Sequence, residues 1–314
     1  MNGRDGLTAY ILVVCTLLAG WAAHAAEGFA GSWTLERSDE PGKVEFTLIH
    51  HERGNSSTHS SAWPANVFVG LDVSKPGKQE VKFTITRDAG RFDCEGYAHD
   101  GEGAGTFRFQ ADSKYPGEMK ALGFTGIDLE KQYSMAVLDV TLDFAKEMKG
   151  QHLQGLDTDK LIAFRIFNVN SEYIRDLRNS GIAANDCDKL VAFRIHGVTA
   201  EMVRFLRKEG YQPDEDKLIA MRIHGATPEF IEQLDKEGYQ HVDLDKLIAF
   251  RIHGVSPEFI ERVQALGYKH PEPDQLIAMR IHGVTPEYIS GLKSHGMQNL
   301  SIDQLVSLRI QGID

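Results

Sequence analysis

Four histidines, His196, His224, His253 and His282, recur at steps of 28 or 29 residues, each followed by glycine. Imidazoles held in register can ligate a metal or line a polar binding site. A shared metal ion needs its ligands about 2 Å away, whereas packed helices stand about 8–10 Å apart. The competing reading is a histidine at a helix C-terminus, where its ring favours the dipole and can bond the last carbonyls. Spacing favours the second reading. No metal and no cofactor are expected, and the four histidines stand as the candidate binding stripe.

Arginine keeps the same register at Arg165, Arg194, Arg222, Arg251, Arg280 and Arg309. Aspartate does so six residues earlier, at Asp159, Asp188, Asp216, Asp245, Asp274 and Asp303. A further acid recurs at Glu172, Glu201, Glu229, Glu258 and Glu287. An arginine so close to leucine and isoleucine is expected to be half-buried and then calls for a carboxylate. The functional alternative is a cationic stripe for an anionic ligand. Equal copy number of both signs favours a structural ladder that ties each unit to the next.

These residues sit in a repeat. Its leading leucine falls at Leu161, Leu190, Leu218, Leu247, Leu276 and Leu305, steps of 29, 28, 29, 29 and 29. A fixed period in this range marks stacked supersecondary units, none able to bury its own apolar face. Within Asp216 to Tyr239, Leu218, Ile219, Met221 and Ile223 follow helical spacing, and so do Phe230, Ile231 and Leu234. Asp216 can cap the first helix or sit in its first turn, and Gly225 stops it. Thr227-Pro228-Glu229 restarts the chain as N-cap, first helical residue and dipole partner. Gly238-Tyr239 ends the second helix, with the tyrosine folded back as a lid. Glu118 to Phe124 reads as a weaker second helix, and Met135 to Phe144 as a degenerate unit. Leu305 to Gly312 is a closing half unit.

Upstream the period is two. Val44, Phe46 and Leu48 alternate with polar residues, as do Val81, Phe83 and Ile85, and Phe107 and Phe109 flank Arg108. Pro41-Gly42, Lys75-Pro76-Gly77, Asp88-Ala89-Gly90 and Asp100-Gly101 supply turns. The polar segment from Arg53 to Ser61 reads as a mobile loop, and Asn55-Ser56-Ser57 is formally a glycosylation sequon. The expected fold is α+β: a small antiparallel sandwich or barrel-like β domain over 27–115, then an α-helical repeat array over 116–314.

The chain has 314 residues and a net charge of −11. An acidic chain without a basic patch is a poor nucleic-acid ligand, because phosphate neutralisation supplies most of that affinity. Residues 1–26 read as a targeting signal: Arg4, an apolar run from Leu7 to Trp21, then Ala23-His24-Ala25 at a cleavage site. An uncleaved anchor is the alternative, though the run is short of the roughly 20 residues a span needs. The chain is expected to be exported, periplasmic or extracellular, with no membrane span after cleavage. Cys94 and Cys187 read as buried thiols, with a bridge between the halves as the alternative.

Signals for catalysis are thin. His50-His51-Glu52 lacks the helical spacing of a zinc protease motif, and no G-x-S-x-G occurs. Gly101-Glu102-Gly103-Ala104-Gly105 leads into a strand, not a helix, so it cannot cradle phosphate on a helix N-terminus. A turn or bulge accounts for it better. The helix–glycine–helix order loosely resembles a helix-hairpin-helix DNA motif, but the acidic chain and the export signal oppose it.

The repeat core Arg222-Ile223-His224-Gly225, with its Thr-Pro-Glu restart and Gly-Tyr ending, resembles a helical repeat of uncharacterised exported bacterial proteins. Thr84, Arg87 to Phe92, Gly96 and Gly103 to Phe109 resemble the β domain that precedes such repeats. Similar segments follow the membrane domain of β-lactam-sensor-like metallopeptidase receptors. The resemblance implies an envelope binding or sensing role and carries over no catalytic residue. The sequence therefore points to an exported, non-enzymatic binding protein whose repeat surface holds a protein, peptide or envelope component. The alternative from another class is an exported hydrolase with its site in the β domain.

Overall fold

The computed structural model describes residues 28–52, 55–72 and 75–313. The targeting segment expected over residues 1–26 lies outside the described residues. Among the described residues no helix is long and apolar enough to cross a membrane. The chain divides into two compact units, one ending at Ile166 and one beginning at Phe167.

The first unit opens with six antiparallel strands. They are β1 (Ala30–Arg37), β2 (Lys43–Glu52), β3 (Asn55–Pro64), β4 (Lys78–Arg87), β5 (Gly90–His99) and β6 (Glu102–Ala111), ordered β3-β2-β1-β6-β5-β4. In a flat sheet β2 and β4, four steps apart, would stand about 19 Å from each other. Instead the rings of Phe46 on β2 and Phe83 on β4 lie 6.2 Å apart, and Phe68 sits within 5.0 Å of Phe46 and 5.7 Å of Phe83. The sheet therefore curls on itself. A short 3-10 turn, Ala65–Val67, and a bridge from Val69 to Thr84 carry the chain across the gap from β3 to β4. The expected barrel-like β domain is present.

Of the segment Arg53 to Ser61, expected as a loop, residues 55–61 belong to strand β3, which pairs with β2 from Lys43↔Pro64 to Glu52↔Asn55. Serine and threonine suit it because it is an edge strand, where exposed polar side chains protect unpaired backbone. Thr47 and Ser60 bond across the pair at 2.9 Å.

The glycine run lies in β6 under the Trp33 indole. A Cβ on Gly103 would come 3.1 Å from Trp33, and one on Gly96 of β5 would come 2.9 Å from it. These glycines make room for a tryptophan that is 1% exposed and donates from Nε1 to Thr106 O at 3.1 Å. The run shapes the barrel.

Helices follow: α1 (Tyr115–Ala121), α2 (Leu129–Val137), α3 (Leu142–Lys149) and α4 (Thr158–Ile166) complete the first unit. Helix α2 packs on β5 and β6 and closes one mouth of the barrel. Gln132 donates to Ala89 O and Asp112 O at 2.8 and 2.6 Å. Tyr133 sits among Phe29, Phe92, Phe107 and Phe109, with ring separations of 5.3 to 6.2 Å.

The second unit holds α5 (Ser171–Asn179), α6 (Cys187–His196), α7 (Ala200–Lys208), α8 (Glu215–His224), α9 (Pro228–Lys236), α10 (Leu244–His253), α11 (Pro257–Ala265), α12 (Pro273–His282), α13 (Pro286–Ser294) and α14 (Ile302–Ile310). First helices α6, α8, α10, α12 and α14 pack side by side in one layer, and second helices in the other. The boundary signals operate as read. Thr199, Thr227, Ser256 and Thr285 cap second helices through their hydroxyls. Gly197, Gly225, Gly254 and Gly283 end first helices at φ from 72° to 75°, where a Cβ would be strained. Asp216 lies in the first turn of its helix, and Asp214 is the N-cap.

Candidate interaction surface

The hydrogen bonds of the repeated arginine run to backbone carbonyls, while of the two repeated acids it is the glutamate that lies near it, Glu229 near Arg222 and Glu258 near Arg251. Arg222 donates from Nε to His196 O at 2.9 Å, Arg251 to His224 O at 3.4 Å and Arg280 to His253 O at 3.3 Å. In the first unit Arg165 does the same to Leu138 O at 2.9 Å and also reaches Asp139 at 3.2 Å. The physical reason is the helix end. The last carbonyls of a helix lack partners and carry the negative pole of the dipole, so a guanidinium is well met there. The cation also lies over the ring of the preceding second helix: Arg194 over Tyr173 at 3.7 Å, Arg251 over Phe230 at 4.9 Å, Arg280 over Phe259 at 5.0 Å and Arg309 over Tyr288 at 4.8 Å. Met202 replaces that ring below Arg222.

The aspartates form their own ladder with lysines one unit back. Lys189 pairs with Asp216, Lys217 with Asp245 and Lys246 with Asp274. Lys131 pairs with Asp159 at 2.7 Å in the first unit. Gln275 stands where Asp303 would need its lysine. These pairs are solvent-exposed and contribute little each.

The Gly-Tyr endings are clasps as well as lids. Tyr211, Tyr239 and Tyr268 donate to Val242 O, Pro271 O and Leu300 O at 3.0, 2.7 and 2.9 Å. The second-helix layer has its own clasps to the preceding helix end: Arg207 to Gly181 O at 2.8 Å, Gln264 to Glu237 O at 3.1 Å and Lys293 to Leu266 O at 2.5 Å.

The histidines have a backbone role: the carbonyls of His196, His224 and His253 receive the arginines. Their side chains stand at the rim, His196 and His253 half-buried, His224 and His282 exposed. Among the described residues no three His, Cys, Asp or Glu side chains gather as metal ligands. Near Gly254 a cavity of about 220 Å³ opens between successive hairpins, lined by Ser256, Glu258, Arg262, Arg280 and Glu287 but by none of these histidines. Cys94 and Cys187 are both buried.

The isoleucine between arginine and histidine faces solvent in every unit. Ile195, Ile223, Ile252 and Ile281 are 53, 54, 53 and 53% exposed, Ile310 is 63% exposed, and Ile166 in the first unit is 55% exposed. It stands about 200° round the helix from the buried residue two places before it, such as Met221. The half-buried Val191, Ile219, Ile277 and Val306 continue the same face one turn earlier. First helices are thus apolar on both faces, whereas the outer face of the second-helix layer is charged, as at Glu229, Glu232 and Lys236 of α9.

The degenerate unit shows this face covered. Thr141 caps α3 as Thr227 caps α9, and this register sets Val137 against Ile223, Tyr133 against Ile219 and Glu130 against Asp216. Val137 is only 6% exposed, and Tyr133 is packed into the barrel mouth. Glu130 approaches His50 of β2 at 3.9 Å.

Compared with protein-family profiles, curated proteins and solved structures, the chain matches none.

Proposed function

We propose that this is an exported, non-enzymatic interaction protein, periplasmic or extracellular, whose helical repeats present the first-helix face to a protein partner. One observation carries the reading: the repeated isoleucine is left about half exposed in unit after unit, while its counterpart Val137, on a helix packed against the sheet, is buried. An aligned apolar row on an otherwise charged surface marks an interaction site. The resemblance to exported repeat proteins and sensor-like receptors agrees with an envelope role. A photo-crosslinking residue placed at Ile223 should join the protein to a partner in cells. The same residue at Glu232, on the opposite layer, should not. Equal labelling from both positions, or none from Ile223, overturns the reading. Intact-mass measurement of the exported chain should find cleavage beside Ala25 or Ala26; a species starting at Met1 and retained in the cytoplasm refutes the location.

A further inference from the structure

We infer that the occupant of this face is a second copy of the same chain, an inference that rests on the interaction reading above. Ile195, Ile223, Ile252, Ile281 and Ile310 each leave about half their surface open. Together they expose on the order of 500 Å², a patch of the size that marks an interaction site. The half-buried Val191, Ile219, Ile277 and Val306, with the polar rims, bring the face towards the roughly 800 Å² that each partner of a stable complex covers.

The row is also periodic, one isoleucine per first helix, at the roughly 8–10 Å spacing of packed helices. A partner that offers one apolar contact per isoleucine must share that period, and another copy does so by construction. A two-fold pairing is self-complementary, because one patch serves both sides.

The covered instance of the face selects the orientation. Exposed Asp188, Asp216, Asp245, Asp274 and Asp303 line one edge of the face, and His196, His224, His253 and His282 line the other. A two-fold axis parallel to the helices would set the Lys–Asp ladder of one copy against the same ladder of the other. An axis along the row sets the aspartate edge of one copy against the histidine edge of the other, with each isoleucine facing its own mate. The covered instance of this face follows the same pattern. There His50 stands 3.9 Å from Glu130, which holds the repeated-aspartate position. A lipid surface is disfavoured by the net charge of −11.

Sedimentation velocity on the purified exported chain tests the pairing. The wild type should run as a dimer. Ile252→Asp should run as a monomer with an unchanged circular dichroism spectrum, its dissociation constant raised by more than about tenfold. Ile252→Cys should give a covalent dimer on oxidation, since the native thiols of Cys94 and Cys187 are buried. Ile195→Cys should cross-link to itself. If Ile195→Cys cross-links only when Ile310→Cys is also present, the orientation is reversed and the pairing of aspartate edge with histidine edge fails. A wild-type monomer whose crosslinker at Ile223 captures a different protein overturns the second copy and leaves the interaction reading standing. A monomer with no capture overturns both.

Discussion

The guanidinium of Arg280 donates from Nε to the carbonyl of His253, 3.3 Å away and 27 residues back in the chain. The same cation lies over the Phe259 ring at 5.0 Å. One side chain thus closes the end of one helix and covers the second helix of the preceding unit. Alanine at Arg280 removes both contacts and should lower stability by about 1–3 kcal/mol. Lysine should recover part of the loss, because it keeps the charge without the planar stack. His253→Ala should stay within about 0.5 kcal/mol of wild type, because the histidine contributes its backbone carbonyl. Thermal midpoints of the three variants decide this, and a His253→Ala loss equal to that of Arg280→Ala would refute the assignment.

Tyr239 offers a cleaner deletion. Its hydroxyl donates to Pro271 O at 2.7 Å in a buried setting. Phenylalanine keeps the ring and strands the carbonyl, at about 1–3 kcal/mol. Tyr288→Phe loses a comparable bond to Ile313 O, 2.8 Å long but solvent-exposed, where water replaces the hydroxyl, so it should be close to neutral. Burial also pushes the Tyr239 phenol up to about 12, with Glu272 adding to the shift. An unfolded tyrosine titrates near 10. The folded state therefore holds this proton more tightly, and the stability so gained is fully present below about pH 10 and lost as pH rises through about 12. Denaturation midpoints followed from pH 9 to 12 should fall less steeply for Tyr239→Phe than for wild type.

Glu287 should titrate far below an ordinary glutamate. The Arg262 guanidinium bonds its carboxylate, and backbone and Thr285 donors add to the effect, holding it at about 2. A depressed folded value means that its contribution is present above the unfolded value near 4.3 and is lost as pH falls through about 2. Carboxyl chemical shifts followed against pH read this directly. Arg262→Gln should move the Glu287 midpoint upward. An unmoved midpoint would mean that the pair does not persist in solution.

The repeat was legible because every boundary residue is a local conformational statement written several times over: aspartate at a start, glycine at positive φ, Thr-Pro-Glu at a restart. What the arginine touches was not legible, because its partner is a backbone carbonyl and sequence displays only side chains. A carboxylate was the natural guess, and Arg165 does reach Asp139, but Arg222, Arg251 and Arg280 bond backbone and lysine takes the aspartates. Strand β3 was hidden for a related reason. An edge strand of serines and threonines has no apolar alternation, and only its pairing with β2 identifies it. The isoleucine row was in plain view in Arg222-Ile223-His224-Gly225. Its exposure depends on which side the second helices take, and the apolar residue at about 200° from the core was the available signal.

Gly105 carries a prediction that links the barrel to its sequence. It sits in β6 opposite Gly96, and a Cβ there would come 2.0 Å from Glu95 O and 2.7 Å from the Gly96 Cα. Both atoms are backbone, so no side chain can swing away, and relief would require the two strands to separate. That separation would shift the glycine floor beneath Trp33 and open the packing around Phe46 and Phe83. Gly105→Ala should therefore cost about 3 kcal/mol or more, beyond ordinary overpacking. Gly117 in α1 is the control. Nothing lies within 4 Å of its Cβ position, and alanine in an unobstructed helix gains about 0.5–1 kcal/mol. Gly117→Ala should raise the thermal midpoint while Gly105→Ala lowers it or prevents soluble expression. If Gly105→Ala folds with wild-type stability and unchanged tryptophan fluorescence, the close approach of β5 and β6 under Trp33 is not a feature of the protein in solution.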